Sequence, residues 1–148
     1  MAVEQAEMPE IVEWRAKLEE LFGLIHGWLG ELDPPPSIEA TTTTIIEHRS
    51  GEYEAPMLLV RRGRGEFRIR PIARWVVGAA GRVDLEGGDG PFILVRMVEP
   101  GALIFDESSV MSEIKDIDGW FWVQDRPPWH RVGLTGELFR GLAATCLE

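Results

Sequence analysis

Cys146 is the sole cysteine, so no disulfide closes within the chain and no Cys/His zinc spacing exists. That composition suits a reducing compartment, and a cytoplasmic location is the expectation. No apolar run approaches the length that crosses a bilayer, so no membrane partner is expected. The acidic N-terminus has neither the basic nor the apolar region of a signal peptide. Nucleophile elbow, phosphate loop, zinc-protease helix and dinucleotide fingerprint are all missing. The histidines His26, His48 and His130 fall in separate segments with no ligand spacing, and nothing local activates the thiol of Cys146. No internal repeat or low-complexity tail occurs. These gaps remove the positive case for an enzyme, and no cofactor is expected.

Basic charge is also scarce overall and concentrated where it occurs. The 148 residues carry a net charge of −10. Residues 1–60 hold 12 acids against 3 bases and residues 97–148 hold 9 against 4, while residues 61–96 hold 8 arginines against 4 acids. Such a surface repels nucleic acid and anionic lipid in bulk, yet leaves room for a local basic patch. The length is that of one domain, spanning residues 1–148, with enough chain to bury a core. Residues 1–8 are expected to be disordered, and Leu147-Glu148 has the form of a cloning scar.

What is present is a clear change of period. Ile11, Trp14, Leu18, Leu21, Ile25, Trp28 and Leu32 recur with alternating spacings of three and four, which predicts a long amphipathic helix. Pro9 suits its first turn, and Gly30 with Asp33-Pro34-Pro35-Pro36 ends it. Its stripe packs either on a sheet of the same chain or, as a homodimer seam through residues 11–32, on a second copy. β-Branched and alternating segments follow at Thr41–His48, Met57–Arg62, Glu66–Arg70, Ala73–Gly78, Arg82–Glu86, Phe92–Val98, Leu103–Phe105 and Trp120–Gln124. "GRG", "AAG", "GGDG" and "EPG" read as tight turns between them, so neighbours run antiparallel. Residues 106–118 read as an acidic connection or a short helix. Thr135 caps a last short helix through Leu138, Phe139 and Leu142. The expected fold is α+β: a long N-terminal amphipathic helix, an antiparallel β-meander of about six to eight short strands, and a short C-terminal helix.

Within the meander, "GRVDLEGGDGPFILVRM" (residues 81–97) locally resembles the active-site hairpin of the PD-(D/E)xK nuclease superfamily. Asp84 matches the acid that closes one strand, and a glycine turn leads to the next. The resemblance implies an acid and a lysine near Val95 and Met97, where neither residue can ligate a metal or act as a base. Asp84, Glu86 and Asp89 are the weak metal candidates that remain.

Two features ask for a partner. Arg64, Arg68 and Arg70 share one parity, joined by Arg62 if the turn preserves it, with Phe67 and Ile69 opposite. They form either a solvated face paired with neighbouring acids or an anion- and nucleic-acid-binding surface. In "GWFWVQDRPPWH", Trp120 and Trp122 point one way and Phe121 and Val123 the other. Pro128 and Trp129 end that segment in a rigid aromatic turn. Trp120, Trp122, Pro128 and Trp129 are therefore the protein-binding candidates. The leading expectation is a non-enzymatic protein-binding accessory domain (inhibitor, immunity-type protein, chaperone or adaptor) whose acidic surface suits a basic partner. The alternative is nucleic-acid binding through the arginine face, on a degenerate nuclease-like scaffold.

Overall fold

A computed structural model describes residues 7–88, 91–105, 111–124 and 131–148. The fold is α+β. Helix α1 (Pro9–Leu29) is followed by strands β1 (Ser37–Glu47), β2 (Gly51–Arg62), β3 (Gly65–Ala73), β4 (Arg82–Glu86), β5 (Phe92–Phe105), β6 (Met111–Val123) and β7 (Arg131–Gly133), then helix α2 (Gly136–Cys146). All seven strands form one sheet in sequence order, and every neighbouring pair is antiparallel. No helix among the described residues is long and apolar enough to cross a membrane.

Helix α1 starts at Pro9, whose missing N–H is one the first turn cannot use. Ahead of it, the Met8 carbonyl accepts from the N–H of Ile11 and of Val12. The helix buries Ile11, Trp14, Leu18, Leu21, Phe22, Ile25 and Leu29. Trp28 and Leu32, expected on the stripe, only edge the core. The reason is a drift of about 20° per heptad between a strict 3.5-residue repeat and a straight 3.6-residue helix. By the third heptad Leu29 has taken the inward position. The stripe is thus spent inside one chain, and a homodimer seam through residues 11–32 would have to expose this core.

The sheet answers with a matching face. Leu58, Ile69, Leu85 and Phe92 are successive cross-strand partners, as are Val60 with Phe67 and Val83 with Leu94. All but the half-buried Phe92 are buried, and all join one core cluster with α1 and α2. Helix α2 is capped by Thr135, whose hydroxyl accepts from the Leu138 N–H at 3.1 Å. Its Phe139 meets Trp28 of α1 with ring centroids 5.5 Å apart. Leu147 is buried too and packs so closely on Gly65 that a Cβ there would sit 2.1 Å from its carbonyl oxygen.

Three local expectations are corrected. The expected strand Ala73–Gly78 does not form: Ala73 ends β3, and the residues after it make only an isolated bridge between Val76 and Ala79. The Glu47 carboxylate captures the N–H groups of Arg74 and Trp75 at 3.2 and 3.0 Å, and the Arg49 and Arg74 guanidiniums lie over the Trp75 ring. Those bonds replace a ladder. Second, "EPG" does not turn the chain: β5 runs through it, with an irregularity between Glu99 and Ala102. Gly101 supplies a φ of 64° and donates its N–H to Asp116 at 2.8 Å. Third, the acidic connection is strand from Met111 onward, since β5 continues far enough to pair with it.

Candidate functional site

Cross-strand partners share a face, so the registers define the side of the sheet opposite the helices. One row across it runs Arg70, Asp84, Ile93, Val123 and Arg131; the next runs Arg82, Val95, Phe121 and Gly133. An arginine–carboxylate belt over β3 and β4 therefore borders an apolar island on β5 and β6.

The belt is internally neutralised. Arg82 Nε and Nη2 donate to both oxygens of the buried Asp84 carboxylate at 2.8 and 2.9 Å. That bond lifts the Arg82 guanidinium further above its ordinary pKa. Arg70 Nη2 donates to Glu86 at 2.8 Å, and Arg61 Nε donates to Glu66 at 2.9 Å. Arg64 and Arg68 are exposed and form no ion pair among the described residues. Arg62 does not join them: its partner Gly65 sets it on the Val60–Phe67 side, where its guanidinium donates to the Pro34 carbonyl at 3.3 Å. Arg61 takes the outward place. The hairpin turn shifts parity by one, which the spacing of arginines in the sequence cannot reveal.

The nuclease-like hairpin forms, as β4 and β5. Asp84 and Glu86 share its outer face but each is held by an arginine, and the residue opposite Asp84 is Ile93. Asp89 lies outside the described residues. Among the described residues no group of three or more His, Cys, Asp or Glu side chains is placed to hold a metal ion.

Of the aromatic candidates, Trp120 and Trp122 lie half-buried on the helix side. Trp120 packs against Trp14 at 6.0 Å, and Trp122 meets Phe92 edge-on at 6.5 Å. Pro128 and Trp129 lie outside the described residues. The intervening Phe121 lies on the outer face. It lines a groove of about 170 Å³ with Met97, Glu99, Ile117 and Arg131. It also lines a larger hollow of about 460 Å³ with Asp116, Asp118, Trp120 and Leu134. Among the described residues β7 pairs only with Phe121–Val123, and the second hollow lies where the earlier part of β6 has no strand beside it. Phe121 is where both hollows meet, and Glu99 and Asp116 supply an acidic rim, Asp118 being already ion-paired with Arg96. The sequence missed it because alternation shows two faces but not which one the helices cover.

No family model, curated protein or solved structure matches the chain.

Proposed function

We propose that this chain is a non-catalytic, protein-binding accessory domain, acting in the cytoplasm, that receives an apolar and basic segment of another protein at Phe121. The observation that carries the proposal is the meeting of two hollows at a half-buried Phe121, beside a stretch of β6 that has no strand partner among the described residues. Such a site offers an apolar anchor point, free backbone groups and an acidic rim together. The net charge of −10 favours encounter with a basic partner. The self-paired arginine belt weakens the nucleic-acid reading, because an arginine already bonded to Glu or Asp must give up that bond to take a phosphate.

The test is affinity capture from the organism that encodes the chain, with the wild type and a Phe121→Ala variant of matched melting temperature. A stoichiometric protein held by the wild type and lost by the variant supports the proposal. Equal capture by both removes Phe121 from the interface. Nucleic acid recovered at low salt, and lost when Arg64, Arg68 and Arg70 are replaced by Ala, would establish the alternative instead.

A further inference from the structure

The turn between β1 and β2 meets the segment that follows β3, and the corner they form has more donors than acceptors. Its carboxylate, Glu47, is already occupied: it accepts from the Tyr53 hydroxyl and from the N–H groups of Arg74 and Trp75. Arg49, in the β1–β2 turn, and Arg74 set their guanidiniums over the Trp75 indole, 4.1 and 4.6 Å from its centroid. Stacking holds these two cations without using their N–H groups, and each guanidinium has five to give. Neither forms an ion pair or a side-chain hydrogen bond among the described residues. Two further donors of these segments, the Trp75 Nε1–H and the Ser50 hydroxyl, are shut away from solvent with no partner. What the corner lacks is a negatively charged acceptor.

Charge and shape narrow the choice. Two guanidiniums against the Glu47 carboxylate leave one positive charge, in a chain that holds 25 acids against 15 bases. One more carboxylate balances the corner, whereas a phosphate dianion would leave an excess of negative charge beside Glu47. Next along both strands is a groove of about 210 Å³ whose apolar walls are Ile45, Ile46, Pro71 and Ile72. Ile46 directly precedes Glu47, and Ile72 stands two residues before Arg74, so the strands that line the groove lead into the corner. Arg70, also on its wall, is held by Glu86. Ile46 is 76% exposed, an apolar side chain left open at the mouth. A space of ~150 Å³ takes a benzene ring, so this groove has room for a phenyl or branched alkyl group.

From this arrangement we infer a binding site for a small carboxylic acid with an apolar body. The carboxylate lies against Arg49 and Arg74, and the body lies in the groove between Ile46 and Ile72. Arginine's planar fork takes both oxygens of a carboxylate, and the indole keeps the two forks in place beforehand. The site has no residue in common with the hollows at Phe121, so the failure of one reading leaves the other standing.

The test is a titration of the nitrogen-15-labelled full chain with 4-phenylbutanoate, followed by NMR. The signals to read are the Trp75 indole N–H and the Arg49 and Arg74 Nε–H, assigned by their loss in Trp75→Phe, Arg49→Gln and Arg74→Gln. They should shift together and saturate, with a dissociation constant on the order of millimolar, as suits a ligand of this size. 4-Phenylbutanamide keeps the shape without the charge, acetate keeps the charge without the body, and each should bind about tenfold more weakly. Arg74→Gln should also weaken 4-phenylbutanoate about tenfold, the usual effect of losing a hydrogen bond to a charged group. Arg49→Gln, at an exposed turn, gives the same reading should Arg74→Gln lower the melting temperature. Ile46→Ser, which alters no charge, should weaken 4-phenylbutanoate and leave acetate unchanged, while Arg64→Ala should change neither. No shift at Trp75 up to tens of millimolar acid overturns the inference, as does equal binding of the amide. Tighter binding of inorganic phosphate than of 4-phenylbutanoate would overturn the assignment to a carboxylate.

Discussion

At the residue scale, two buried positions show how the core constrains single side chains. Gly81 lies against Trp14, which is fully buried, and a Cβ there would come within 2.2 Å of the indole ring. The ring is enclosed by core on its other side and cannot retreat. Gly81→Ala should therefore cost about 2 kcal/mol in chemical denaturation, and an unchanged midpoint would show the contact to be soft. Cys146 is the second case. Burial pushes its thiol from 9.0 up to about 11, so the folded state holds the proton more tightly than the unfolded chain does. Its contribution to stability is whole below pH 9 and declines as pH climbs toward 11. Denaturation midpoints of the wild type should fall more steeply over that window than those of Cys146→Ala, and the native thiol should resist alkylation at neutral pH until the chain unfolds.

At the scale of elements, one buried arginine ties helix to sheet. Arg96 is 3% exposed and reaches Glu13 on α1 at 3.2 Å and both oxygens of Asp118 on β6 at 3.1 and 3.2 Å. Its two partners are about half-exposed, so they can regain water when the arginine is lost, whereas the arginine cannot when they are. Removing Asp118 should thus be the more damaging change, with Asp118→Ala costing about 2 kcal/mol and Glu13→Ala distinctly less. Urea titrations of the two variants give the comparison, and equal losses would mean that Glu13 carries as much of the arginine as Asp118. The elements themselves were unevenly legible. Helix α1, the β4–β5 hairpin and the Thr135 cap follow from local period, turn glycines and a hydroxyl. The acidic half of β6 did not, because its strand character comes from the ladder that β5 offers and not from its own alternation. The segment after Ala73 erred the other way: its apolar residues read as strand, but Glu47 bonds its backbone first.

At the scale of the whole molecule, charge and covering decide the behaviour. A net charge of −10 repels itself in the compact state, while ion pairs such as Arg61–Glu66 and Arg140–Glu31 are exposed and individually weak. Self-repulsion should win, so the melting temperature should rise as salt is added from low ionic strength to about 0.15 M, where the Debye length is ~8 Å. A fall would show that the paired belt contributes more than the net charge removes.

By itself, the sequence determined the periods: a helix that needs a surface, strands that alternate, and an acidic chain without the spacings of zinc or nucleophile chemistry. These are properties of neighbours along the chain, and they survive without knowledge of the fold. Only the tertiary structure decided which face each alternating strand turns to the helices, and hence that Phe121 rather than Trp120 or Trp122 lies on the outer side. It also decided that Arg62 parts from Arg68 and Arg70, and that among the described residues β1 rather than β7 is the long edge. The physical reason is common to all three. A period-two pattern is symmetric between its faces and its edges until a turn sets the register and a helix covers one side.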